Sequence, residues 1–285
     1  KLSSLNIWQH IKPAFLLLIP QLAIQIYVQL NKTMLGILQG VTASGFYESS
    51  DKIIKMLLAL VTATGTVLLP HVAHYFAQGD HDAVKRSLET SMHVILVIAF
   101  PLAFGIAAVS TTFTYYFFST KFMPVAPLMA AEAIVVIPIS IASAIGVQYL
   151  LPTNQVKSYT VSVILGSIVN IVVNVPLILW LGTMGAVIGT ILSESVVTIY
   201  QVYAIKNQLD LRGLFSESWK YCLSAVVMFG VVKGLEIAWS TSLIGLVVEV
   251  LIGMVVYFVV LLGLRPHIII GYVRPYVDQM RRRLR

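Results

Sequence analysis

Polar and apolar positions along this chain are arranged in long blocks, not in a short repeat. Eight apolar runs, each bounded by charge or by a turn signal, cover approximately 13–30, 53–76, 91–109, 125–149, 159–181, 184–205, 221–238 and 243–264. Each is close to the roughly 20 residues that a helix needs to cross a hydrocarbon core. Only "LGTMG" parts the fifth run from the sixth, as a Gly-bearing turn between antiparallel helices would. The pattern predicts an all-α polytopic membrane protein with eight transmembrane helices.

Composition agrees. The chain is 58% hydrophobic and 11% charged, with a mean hydropathy of +0.88, whereas soluble domains carry about 25% charged residues. Its net charge of +7 does not indicate nucleic acid, because the basic residues sit in short links and in the tail without interleaved aromatics. Cys222, the single cysteine, lies in an apolar run and has no internal disulfide partner. The chain begins at Lys1 and enters a run holding Gln21, Gln25 and Gln29, with no small-x-small cleavage signal. That start reads as part of a longer protein, not as a signal peptide.

Lys and Arg set the expected orientation. With a cytoplasmic N-terminus, 14 of the 19 fall on the inner side, and only Lys32, Lys52, Lys55, Lys121 and Lys233 fall outside. This bias places both termini in the cytoplasm, as an even number of spans requires. The tail "RPHIIIGYVRPYVDQMRRRLR" mixes aliphatics with arginines and suits an anionic inner leaflet.

Polarity inside the spans points to function. Prolines 20, 70, 101, 138 and 176 interrupt each of the first five runs, freeing backbone groups that neighbours or water must satisfy. On the second run, Glu48, Asp51, Lys52 and Lys55 fall within about 100° of arc. They form two acid-first i,i+4 pairs, and the same face continues through Ala59, Thr62 and Thr66. Lipid rejects such a stripe, so it is expected to face the protein interior or water. Gln21, Gln25, Gln29 and Lys32 make a matching stripe on the first run, within about 80°. Two polar stripes on adjacent helices fit either a hydrated cavity wall or an ion-paired seam.

Other polar groups carry weaker signals. Asn170 and Asn174, one turn apart, read as an interhelical hydrogen-bonding pair. Gly185 and Gly189 make a close-contact face, and Glu194 lies opposite them with Thr190 and Gln201 as a site of protonation. Glu132 and Glu249 are fainter versions of the same signal, and His71 and His74 follow Pro70 near the inner boundary. No HExxH, GxSxG or Walker lysine motif is present, so the reading is not an enzyme, with no cofactor and no metal site.

"YVQLNKTMLGILQG" followed by "GFYESSDKI" resembles the seventh and eighth spans of bacterial polysaccharide flippases of the multidrug/oligosaccharidyl-lipid/polysaccharide exporter superfamily. "LLPTNQVKSYTVSVILGSIVNIVVNVPLILWLGTMGAVIGTILSE" resembles the later Asn-x-x-x-Asn helix and Gly-Ala turn of that family. The resemblance implies a fourteen-span transporter: two six-helix lobes around a central cavity, then two extra helices. Residues 1–206 would form the second lobe, 207–264 the additional helix pair and 265–285 a basic cytoplasmic tail. The family often has an acid before the first-motif lysine. Here Asn31 precedes Lys32, which is expected to leave Lys32 freer.

The implied activity is export of a polyprenyl-pyrophosphate-linked oligosaccharide across the cytoplasmic membrane by alternating access. Lys32, Lys52 and Lys55 would meet phosphate, Gln21, Gln25 and Gln29 would meet sugar hydroxyls, and Glu48, Asp51 and Glu194 would pair with the lysines or couple to an ion. Expected partners are the lipid-linked substrate, membrane lipids, the N-terminal lobe of the same chain and a glycan polymerase; nucleic acid is not one. A cation-coupled drug antiporter, a peptidoglycan-precursor flippase and a non-transporting membrane scaffold remain as alternatives.

Overall fold

The structure, a computed structural model, describes residues 8–238 and 242–266, without the side chains of 8–17, 64–68, 237 and 238. The side chain of Thr66 and the tail beyond residue 266 therefore lie outside what the structure describes. Among those described the chain is helical and has no strand. The long helices are α1 (Trp8–Leu38), α2 (Val41–Ala77) and α3 (His81–Phe117), then a segmented fourth element, α6 (Val156–Leu181), α7 (Thr183–Ile205), α9 (Ser218–Ala238) and α10 (Leu243–Gly263). The fourth element comprises α4 (Val125–Glu132), a 3₁₀ turn (Ala133–Val135), α5 (Val136–Ala142) and a π-helical stretch (Ser143–Leu150). A short α8 (Leu211–Phe215) precedes α9. These helices fall on the eight expected runs. Five are long and apolar enough to cross a membrane: α3, the fourth element, α6, α7 and α10.

Helix boundaries follow from local chemistry. Gly40 turns α1 into α2 at φ 93°, and Gly182 turns α6 into α7 at φ 59°, a region where glycine has no steric penalty. The Asp80 side chain accepts from the Ala83 amide at 2.9 Å to start α3, and Ser242 accepts from Gly245 at 2.8 Å to start α10.

The α6–α7 hairpin is packed through its glycines. A Cβ on Gly185 would meet the Leu177 carbonyl oxygen at 2.0 Å, and one on Gly189 would meet Asn174 Oδ1 at 2.0 Å. The close-contact face read from the sequence is therefore the α6–α7 seam. α1 lies against α6 and α2, while α3 runs through the middle, touching α2, the fourth element, α9 and α10. The main core is built from these elements around Leu88, Met92, Ile95, Met129, Ile145 and Tyr221. Outward positions of α6 and α10, such as Val172, Trp180, Ile244 and Val259, are apolar and exposed, the composition expected of helices whose solvent is lipid.

The proline in α3 has a specific partner. Pro101 carries no N–H, so the Val97 carbonyl loses its helical donor. Tyr257 of α10 supplies one instead, donating its hydroxyl to that carbonyl at 2.8 Å. Tyr257→Phe should cost about 1–3 kcal/mol, the price of a buried unsatisfied acceptor, read as a lower melting temperature of purified protein. In a Pro101→Ala background the restored amide should make the same change much less costly, a coupling that a double-mutant cycle measures.

On the side where α8 meets α9, buried His93 of α3 holds the linker. Its ring nitrogens lie 3.1 Å from the Tyr221 hydroxyl and 3.3 Å from the Gly213 carbonyl.

Candidate functional site

The α1–α2 turn brings the two polar stripes together. α2 begins well before its apolar run, so Glu48, Asp51, Lys52 and Lys55 occupy its first turns beside Lys32 of α1. Lys52 pairs with Glu48 at 3.2 Å and Lys55 with Asp51 at 2.7 Å, the two pairs predicted within the helix. Lys32 joins them from α1, 3.5 Å from Glu48 and 3.7 Å from Asp51. Asn31 before Lys32 thus does not leave the lysine free, because the acids of α2 replace the missing neighbour. The result is a ladder of three lysines on two carboxylates.

Its members differ sharply in access. Side-chain exposure is 69% for Lys52 and 46% for Lys55, against 19% for Lys32 and 11% for Asp51. Exposed pairs of this kind are worth only about 0–1 kcal/mol, so Lys52 and Lys55 exchange partners readily. Gln21, Gln25 and Gln29 are exposed on the adjoining flank of α1, beside apolar Leu22 and Ile26. The structure places all six expected contact residues on α1 and α2.

Behind the ladder lies a cavity of about 290 Å³ lined by α1, α2, the fourth element, α6 and α7. Asp51 and Lys55 reach into it from the ladder, together with Thr62. Glu194 of α7 lines it and accepts from the Tyr27 hydroxyl at 2.5 Å. Glu132, at the end of α4 where the 3₁₀ turn begins, also lines it and accepts from Ser50. Both glutamates are more than nine-tenths buried. Ser50 and Asp51 are consecutive, so one turn of α2 serves the ladder and the cavity together.

A hydrogen-bonded seam closes one side. Asn31 donates to Thr190 at 3.1 Å and to Tyr47 at 3.3 Å, while Asn174 donates to Asn31 at 2.5 Å and to Asn170 at 3.0 Å. Asn174 therefore makes the interhelical bond expected from the spacing, whereas Asn170 accepts from Asn174 within α6. Gln201, farther along α7, donates to Ser162 at 3.0 Å and lies away from the ladder. Glu249 is buried on α10 in a separate apolar cavity. Sequence reasoning missed Tyr27, Tyr47 and Ser50. Tyr27 and Tyr47 carried a usable signal, since Tyr27 stands one turn before Asn31 and Tyr47 one turn before Asp51 on inward-facing sides.

An all-α polytopic membrane fold, with a charged mouth above a cavity that Glu132 and Glu194 line, is the class the structure defines. A family model described as "Lipid II flippase MurJ" matches residues 5–257, and the chain belongs to that family. The superfamily is the one anticipated, and the family model that matches within it is that of the lipid II flippases. A relative from Haloferax volcanii, the probable low-salt glycan biosynthesis flippase Agl15, is 23% identical over 84% of this chain and 51% of its own length. The lipid II flippase MurJ of Bacillus subtilis is 27% identical over 55% of this chain and 29% of its own. The chain therefore spans about half the length of the first relative and less than a third of the second.

Among solved structures, the inward closed conformation of a lipid II flippase MurJ superposes with a TM-score of 0.71 at 15% identity, covering 88% of this chain and 52% of that one. An outward-facing multidrug transporter of the MOP superfamily gives 0.59, also at 15% identity, over 87% and 62%. At such identities the likeness shows the fold alone.

Proposed function

We propose that this chain is the second lobe and appended helix pair of a flippase that moves a pyrophosphate-linked glycan lipid across the cytoplasmic membrane by alternating access. Residues 1–206 form the lobe, 207–264 the pair and 265–285 a cytoplasmic tail, with both termini of the segment inside. The carrying observation is the ladder: two exposed lysines, Lys52 and Lys55, held by exchangeable ion pairs beside a partly buried third, Lys32.

The chemistry suits the cargo. Pyrophosphate and sugar cannot enter hydrocarbon, and lysines facing a wet path compensate the phosphate charge. Gln21, Gln25 and Gln29 on the same side offer donors and acceptors to sugar hydroxyls. Glu48 and Asp51 hold the lysines in place between substrates, and Glu194 within the lobe responds to ions. The partner surface is a second six-helix lobe, against which this one rocks. A peptidoglycan precursor and a cell-surface oligosaccharide share the same lipid pyrophosphate, and the names of the two relatives support each of them. Essentiality for growth selects the first; accumulation of a lipid-linked oligosaccharide on deletion selects the second.

Accessibility tests the reading directly. Cysteines substituted singly at Lys52, Lys55 and Thr62 in the full-length transporter should react with a membrane-impermeant thiol reagent added from outside. Inertness at all three positions in every conformational state would mean that the ladder is a dry seam.

A further inference from the structure

We infer that the ladder and the cavity behind it are linked through Asp51, so that binding of a phosphate anion at Lys32, Lys52 and Lys55 is accompanied by uptake of a proton at Asp51. The inference rests on the phosphate-binding reading above and adds to it a second, coupled ligand.

Charge accounting motivates it. At rest the three lysines face two carboxylates, leaving one positive charge in excess. A ligand bringing two negative charges turns that excess into a deficit of one, inside a membrane where unpaired charge is costly. One proton closes the deficit. Of the two carboxylates, Glu48 is 41% exposed and remains solvated when its lysines turn to phosphate, whereas Asp51 is 11% exposed. Losing Lys32 and Lys55 would strand Asp51 as a buried, unpaired anion.

The surroundings make that outcome more costly. Asp51 shares its cavity with Glu132 and Glu194, and the other titratable side chains lining it are Tyr27, Tyr47, Lys55 and Tyr159. Lys32, Glu48 and Lys52 are the charged groups of α1 and α2 that neighbour it in the ladder. Once phosphate draws the lysines away, the acids dominate. Each glutamate has a hydroxyl partner, Ser50 for Glu132 and Tyr27 for Glu194, and among the described residues no cation lies within ion-pair distance of either. Among the described residues these acids do not gather as a metal-binding group would, and a proton needs no such gathering. The proton comes from solvent, which reaches the ladder where Lys52 and Glu48 are exposed.

Calorimetry on the full-length transporter reads the linkage, with a symmetrical dialkyl pyrophosphate diester as the pyrophosphate probe, which keeps two negative charges across the pH range used. Binding heats measured at one pH in buffers of different ionisation enthalpy should differ in proportion to about one proton taken up per ligand. Affinity should strengthen as pH falls, approaching tenfold per unit where uptake is complete. Asp51→Asn should bind with equal heats in all buffers and without that pH slope. As a second readout, the diester should raise the infrared carbonyl stretch of a protonated carboxyl group in the wild type and not in Asp51→Asn. Wild-type binding with buffer-independent heats would overturn the linkage while leaving the phosphate site standing. Absence of diester binding at every pH would remove the phosphate site and the linkage with it.

Discussion

Replacing Lys52 and Lys55 together by alanine should abolish flipping while leaving the protein inserted in the membrane. Both side chains are exposed, and each holds one carboxylate through a pair that contributes little to folding. Their removal leaves Glu48 and Asp51 with Lys32 alone, so the folded lobe persists with a mouth that repels anions. A hydrogen bond from a charged donor is worth about 1.5–3 kcal/mol, and losing two should lower transport on the order of a hundredfold or more. The measurement is movement of a lipid-linked glycan in proteoliposomes, with membrane-fraction abundance as the folding control. Wild-type flux in the double variant would remove the lysines from the substrate path. Arginine at both positions should retain part of the flux, since it keeps the charge on a different shape.

The largest stability effect should come from Gly185→Ala. The added carbon would sit 2.0 Å from the Leu177 carbonyl oxygen and 2.3 Å from its carbon, and backbone cannot step aside as a flexible side chain can. Overpacking of this kind costs about 1–3 kcal/mol or more. Here relief also requires parting α6 from α7, which would disturb the close approach of Gly189 to Asn174 as well. We expect a lower melting temperature in detergent and less monodisperse protein. Gly230→Ala on α9, where the new carbon meets nothing within 4 Å, serves as the control and should be neutral or slightly stabilising.

Much of this was legible in the chain because its signals are local. The apolar runs, the acid–lysine stripe, the Asn170/Asn174 pair and the Gly185/Gly189 face each depend on spacings of three or four residues within one helix. The contacts that close the site are of another kind. Tyr27 reaches Glu194 across 167 positions, and Ser50 reaches Glu132 across 82. No periodicity connects such partners; only helix packing does. Glu132 illustrates the limit. In the sequence it is a lone acid in an apolar run, and its weight comes from the 3₁₀ turn that begins beside it and the cavity onto which it faces. The five prolines were likewise visible, but the tyrosine answering Pro101 was not.

That tyrosine bears on how the machine can move. Its hydroxyl stitches α10 to the middle of α3, and α9 and α10 lie together along the same helix. Helices so fastened travel as passengers. If the lobe rocks as proposed, the pair would have to plough through the surrounding acyl chains with it, and the viscosity and thickness of the bilayer would then act as a drag on turnover.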